Sequence, residues 1–230
     1  MQNTNFTDYY INKQLEFDKT LIRFRYDTIK KYFRCNNCLE MGPADGIMTG
    51  LLINDFNQLD IVDGDDVLLK IIPNYKNLKK FHSWFEEFNP SALYDTIIMD
   101  HILEHIINPK EILSMVSSWL KPNGVIISGV PNAKSIHRLV AVKMGLLKSE
   151  YELNERDKTQ GHQRVYDSAS FSNEFRNCGF KIIHTGGIFL KPLSNSQIDS
   201  QWSRDMIEGF YELGKEFPDN AADIFIVAKK

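Results

Sequence analysis

Glu40, Gly42, Ala44 and Gly46 alternate in the run LEMGPADG, directly after a short apolar stretch from Cys38 to Met41. The spacing predicts a strand, a sharp turn and then a helix. Gly42 lets the chain turn, while Ala44 and Gly46 are small enough for a ligand or a helix to come close. A carboxylate at Glu40 beside such a turn would repel a diphosphate and suit an amino group. No lysine stands where a triphosphate cradle needs one. Further on, Asp63 closes a second apolar run, LDIVDG. A carboxylate at a strand's carboxyl end can accept both hydroxyls of a ribose. The plainer reading is a turn before Gly64, with Asp65 capping a helix. Together the glycine turn and the acid point to a nucleoside-bearing cofactor.

These residues need a scaffold that brings strand ends together. Leu15, Leu21, Ile22, Tyr26, Ile29 and Phe33 recur at helical steps and predict a helix over 12–34. Strands are expected at 38–41, at 59–64, weakly around 79–82, at 94–100 and at 125–130. A helix opened by a proline is expected over 109–120, and KPNG should be a turn. Beyond it come a helix at 135–147, a helix over 168–179 closed by glycine, a strand in FKIIHTGG, a long helix in SQIDSQWSRDMIEGFYELGKEF and a final strand at about 222–228. Alternating strands and helices argue for an α/β fold with a mostly parallel sheet and helices on both faces. The chain reads as one domain over 1–230. The stretch 133–165 is too long for an ordinary connection and is the expected substrate-pocket insertion.

Two further features carry a likeness to a known family. The run YDTIIMDHILEHIINPKEILSMVSSWLKPNGVIISGVPN holds the triplet Leu103, Glu104, His105 and the turn of Lys121, Pro122 and Gly124. With EMGPADG and Asp63, it resembles the class I S-adenosylmethionine-dependent methyltransferases, especially the small-molecule branch. Ala44 in place of a glycine is a mild departure. The resemblance covers roughly 38–132. It implies a Rossmann-like sheet of seven strands whose last strand is antiparallel to its neighbours. It also implies S-adenosylmethionine as cofactor and direct displacement of its methyl group. Glu40 would then orient the methionine end, and Gly42, Ala44 and Gly46 would pack against the cofactor. Asp63 would hold the ribose, with Gly64 and Asp65 flanking the adenosine. Ser83, Trp84 and Phe85 would lie at the adenine, and Asp100 and His101 at the methionine. Glu104 and His105 would shape the following helix and loop.

A hydroxyl acceptor needs a base. His162 in QGHQRVY is the first candidate, since an ordinary imidazole titrates near neutral pH; His101 is the second. Arg164 could grip an anion, and Tyr166, Asn132, His137, Arg138 and Lys191 are further substrate-binding candidates. The aromatics Phe6, Tyr9 and Tyr10 could fold over the pocket as part of an N-terminal lid over 1–37, with Tyr10 facing substrate. No tight ligand spacing points to a metal. The expected acceptor is a polar small molecule, such as a sugar or a specialised metabolite, methylated on oxygen or nitrogen. Two other readings compete: a non-catalytic protein on the same fold, and an NAD-dependent oxidoreductase, whose G-x-G-x-x-G fingerprint is absent.

Composition narrows the classes. The 230 residues are 43% hydrophobic and 25% charged, which excludes a wholly disordered chain. A net charge of −3 argues against nucleic-acid binding. Three cysteines cannot build a disulfide framework, and the lone Cys35–Cys38 spacing lacks the partners of a zinc site. No apolar run is long enough for a signal peptide or a membrane helix, so the cytoplasm is the expected compartment, with a homo-oligomer open.

Overall fold

Strands rich in Val, Ile and Leu with little alternation are stable only where helices cover both faces of the sheet. The computed structural model, which describes residues 7–230, has that arrangement. Phe6 of the expected lid lies outside the described residues, as does the side chain of Tyr9.

After a single π-helical turn at Tyr9–Lys13, α1 runs over Glu16–Ile29. Then follow β1 (Asn37–Met41), α2 (Ile47–Leu52), β2 (Gln58–Asp63), α3 (Asp66–Ile71), β3 (Leu78–His82) and β4 (Tyr94–Asp100). The chain continues through α4 (Pro109–Trp119), β5 (Leu120–Pro131), α5 (Ile136–Lys143), α6 (Glu155–Thr159) and α7 (Ser168–Asn177). It ends with β6 (Lys181–Ile188), α8 (Asn195–Gln201), α9 (Arg204–Glu216) and β7 (Asp223–Lys229).

The seven strands form one sheet in the order β3-β2-β1-β4-β5-β7-β6. β1 to β5 pair in parallel, and β7 runs antiparallel to both β5 and β6. The expected Rossmann-like sheet with an antiparallel last strand is what the chain forms. Alternate residues divide the core. Leu39, Met41, Ile97 and Met99 face α4 and α7, where Ile112, Val116, Phe171 and Phe175 pack. Cys38 and Ile98 face the other way, toward Phe17 and Leu21 of α1, Leu52 of α2 and Tyr211 of α9.

Some elements differ from expectation. The N-terminal helix stops at Ile29 and passes through a short 3-10 turn, Lys30–Tyr32. KPNG does not end a helix in a free turn. It lies within β5, with Asn123 at φ 67° and a register shift opposite Tyr94 and Thr96. The long C-terminal helix is two helices, because the Ser203 hydroxyl accepts from Met206 N and starts α9 afresh. Cys35 and Cys38 are free thiols, one exposed and one buried. Among the described residues, no helix is long and apolar enough to cross a membrane.

Candidate active site

The strand order reverses between β1 and β4, so their carboxyl ends diverge and leave a crevice. A cavity of about 440 Å³ opens there. The turn after β1 forms its floor. Gly42 has φ 66°, which strains any residue with a side chain, and a Cβ on it would sit 2.3 Å from Ile102 Cδ1 and force that side chain to shift. Ala44 holds the left-handed conformation without that freedom, at φ 49°. At the far end the Trp84 indole lies flat against Gly64, where an added Cβ would come within 2.7 Å of the ring. Trp84 is 56% exposed, so one ring face covers backbone and the rest is open to the cavity and solvent.

Three carboxyl groups give this cavity its chemistry. Glu40 is 3% exposed and accepts a hydrogen bond from Thr49 Oγ1 at 2.6 Å. Burial, with Asp100, Asp45 and Asp63 nearby, pushes its pKa up to about 8. Asp63 ends β2, and its Oδ1 accepts from Asp65 N at 2.8 Å. Burial, reinforced by the Asp65 charge, raises it to about 6. Asp45 Oδ2 is buried with no hydrogen-bond partner among the described residues. Asp65 is a helix cap, accepting from Val67 N and Leu68 N at the start of α3, and Thr7 Oγ1 donates to its other oxygen at 2.5 Å.

The methyltransferase-domain family model matches residues 13–185, which spans most of the chain. This protein is a class I S-adenosylmethionine-dependent methyltransferase. A malonyl-[acyl-carrier protein] O-methyltransferase of Halalkalibacterium halodurans is 25% identical over 195 residues, covering 77% of this chain and 72% of that protein. Among solved structures, a SAM-dependent methyltransferase from Archaeoglobus fulgidus superposes with a TM-score of 0.62 at 21% identity, covering 92% of this chain and 94% of the other. The N-methyltransferase NodS from Bradyrhizobium japonicum, in complex with S-adenosylhomocysteine, gives 0.58 at 11% identity over 95% and 89%. The last two likenesses are of fold.

The cavity of the methyltransferase fits its cofactor. It has room for a nucleoside with an amino-acid tail, an aromatic face in Trp84, carboxyls at both ends and an unpartnered acceptor in Asp45. Of the residues expected there, Glu40, Gly42, Ala44, Asp63, Gly64, Asp65, Trp84, Phe85, Asp100 and His101 line it. Gly46 and Ser83 do not. Gly46 is turned against Ile72, and the Ser83 hydroxyl is spent on the Trp84 carbonyl at 2.9 Å.

A second, polar cavity of about 180 Å³ shares Tyr10, Arg25, His101, His105 and Gln160 with the first. His137, His162 and Lys191 line it. Asn132 and Arg138 also reach it but are occupied structurally. Asn132 Nδ2 donates to the carbonyls of Asp219 and Ala221. Arg138 is 4% exposed and fastens the insertion through Glu150 O, Glu152 O and Asp157. Arg164 and Tyr166, expected at the substrate, line neither cavity. Arg164 donates to Ile107 O at 3.0 Å, and Tyr166 is buried beside Phe171.

The surroundings of His101 do not favour a base. Its ring lies between Glu104, 3.2 Å from Nδ1, and Asp223, 3.4 Å from Nε2. Burial and Arg25 pull its pKa down, yet Asp223 and Glu104 lift it to about 10. An imidazolium at neutral pH has no lone pair to take a proton. His137 is the opposite case. Burial, with Lys191 and Arg138 close by, lowers it to about 2, so its ring is neutral. The sequence reading passed over Arg25 and Asp223. Arg25 of α1 joins Asp100 at 3.2 Å to Asp223 at 2.9 Å and so ties the two cavities together. Asp223 carried one usable signal, a carboxylate opening an otherwise apolar strand; Arg25 carried none.

S-adenosylmethionine supplies, when bound, a methyl group on a positively charged sulfur. The chain's own part is to align, enclose and prepare the acceptor. Tyr10, His105 and Gln160 stand where the two cavities meet.

Proposed function

We propose that this methyltransferase acts on a hydroxyl oxygen of a polar small molecule, such as a sugar or a specialised metabolite. The carrying observation is the charge pairing around the second cavity. Arg25 is held by Asp100 and Asp223, Arg138 by Asp157, Arg156 by Asp18, and His101 by Glu104 and Asp223. A wall of cations already matched to anions offers many hydrogen bonds and little net field, which suits a neutral, hydroxyl-rich acceptor.

Asp63 would hold the ribose hydroxyls, Trp84 and Phe85 the adenine, and Glu40 the methionine amino group. The insertion 133–165 would form the acceptor pocket, and the segment that carries Tyr10 would cover it. The hydroxyl proton would be removed at the imidazole pair His105 and His162, whose ring centroids are 4.7 Å apart.

A carboxylate acceptor is the second reading, favoured by Lys191. Its half-buried side chain hydrogen-bonds to the Asn195 amide oxygen at 2.8 Å rather than to an acid. The malonyl thioester methylated by the H. halodurans relative belongs to that acceptor class. The test is S-adenosylhomocysteine release with panels of sugars and polyols, carboxylates and amines. Turnover on the hydroxyl panel is expected. Turnover on carboxylates alone selects the second reading, and turnover on amines alone overturns both.

A further inference from the structure

Glu104 is the most deeply buried acid near the acceptor cavity, at 1% exposure. His101 Nδ1 pairs with its Oε1 at 3.2 Å as a counter-charge, but among the described residues neither carboxylate oxygen has a well-formed hydrogen bond. A buried carboxylate left in that state costs free energy unless something else completes it. Its surroundings supply two imidazoles. Ligand atoms of Glu104, His105 and His162 all lie within 4.8 Å of one another. Gln163 N donates to Glu104 O at 2.7 Å, which pins the two chain segments side by side.

The outer contacts of the rings are also arranged. His162 Nδ1 faces Asp157 Oδ1 at 3.4 Å, and the His162 side chain is 7% exposed. Asp157 is itself fixed through Oδ2 by Arg138 Nη1 at 3.0 Å and Asn154 N at 2.9 Å. The His105 ring is hydrogen-bonded to the Gln160 backbone. A carboxylate or carbonyl behind each ring is how proteins orient imidazoles that hold a metal.

We propose that Glu104, His105 and His162 bind a divalent transition-metal cation whose open positions face the acceptor cavity. Two imidazoles and one carboxylate select Zn²⁺, Mn²⁺, Fe²⁺ or Co²⁺ over the all-oxygen sites of Mg²⁺ and Ca²⁺. Three protein ligands leave room for substrate. Contraction from 4.8 Å to the roughly 3–4 Å between ligands of a metal about 2.0–2.2 Å away needs only small side-chain movement. His105 and His162 line the cavity, so the cation would meet the acceptor there.

The inference rests on the hydroxyl-methylation reading and replaces direct proton transfer to His105 or His162 with ionisation of the hydroxyl on the cation. A hydroxyl on the cation is acidified. Its O–H bond breaks and the proton passes to solvent. The O–CH₃ bond forms as the CH₃–S bond breaks, and that bond's electron pair stays on sulfur. The substrate class narrows to acceptors that can chelate, such as vicinal diols or hydroxy acids.

The test is Co²⁺ titration of chelator-stripped protein, read by visible d–d absorption, with S-adenosylhomocysteine calorimetry on every sample. One equivalent of Co²⁺ is expected. His162→Ala and the near-isosteric Glu104→Gln should each weaken it at least tenfold, with S-adenosylhomocysteine affinity unchanged. Protein that binds S-adenosylhomocysteine but no Co²⁺, Zn²⁺ or Mn²⁺ overturns the site. Hydroxyl methylation at full rate in chelator overturns the metal mechanism alone and leaves His162 as a direct proton acceptor. Stoichiometric Co²⁺ with turnover only on amines keeps the metal site and overturns the hydroxyl reading.

Discussion

At the cofactor half of the sheet edge, the cavity is shaped by strand ends and the few residues that follow each. At the acceptor half, it is shaped by side chains drawn from α1, β4, the 133–165 insertion, the stretch after β6 and the start of β7. Glu40 meets Thr49 and Asp63 meets Asp65, all over short stretches of chain. Arg25 instead meets Asp100 and Asp223, and Asp18 meets Arg156 and Asn195. The first half is therefore built by local backbone geometry and tolerates a change in one side chain. The second is held by buried long-range ion pairs, and losing one partner strands the other.

Arg25→Ala is the strongest way to break that contrast. Its side chain is 13% exposed, and its removal leaves Asp100 without its ion pair and Asp223 with His101 as its remaining ion-pair partner among the described residues. Breaking a buried pair in this way costs about 3–5 kcal/mol. Urea unfolding measures it, and a loss near zero would mean that the acceptor half does not depend on its ion pairs.

Asp63→Ala acts on binding rather than on the fold. If the carboxylate accepts the ribose hydroxyls, S-adenosylhomocysteine affinity should fall at least tenfold, about 1.4 kcal/mol. The same carboxyl predicts a pH effect. Its pKa is raised to about 6 by burial first and the Asp65 charge next, with His82 opposing. Protonation removes the acceptor, so affinity should weaken as pH falls through 6, by roughly tenfold between pH 7 and pH 5. Glu40, pushed to about 8, would add to that fall, since holding the methionine amino group requires its ionised form. Calorimetry at the two pH values checks the slope, which should become shallower in Asp63→Ala. An unchanged slope assigns the titration to another group.

The same contrast explains what was legible in the sequence. The run from Cys38 to Asn132 could be read because turns, caps and strand ends leave local signatures: Gly42 after β1, Asp63 at the end of β2, Pro109 opening α4. Apart from Asp223 opening β7, the acceptor half leaves none. His105 and His162 are separated by α4, β5 and the insertion, so no spacing rule joins them, yet their rings touch. Arg164 and Tyr166 sit beside His162 in sequence and were read with it. The chain there turns through the Asn132–Tyr166 bridge, which sends Tyr166 into the core and leaves His162 at the cavity. His101 looked like a base until Asp223, far along the chain, was placed beside it.

Ala44→Gly is the smallest effect and the most selective probe of the cofactor half. Ala44 holds φ 49°, a conformation in which a Cβ crowds the following carbonyl. That crowding costs about 1–2 kcal/mol for a non-glycine residue. Glycine would relieve it but lose about 0.4–1 kcal/mol through the freedom it adds to the unfolded chain. The variant should therefore gain up to about 1.6 kcal/mol in urea unfolding with S-adenosylhomocysteine affinity unchanged. A loss of stability would mean that the Ala44 methyl contributes more by packing than its backbone costs. The first turn would then be held by side-chain contacts, as the acceptor half is, and the distinction between the two halves would fail at the place where it should be clearest.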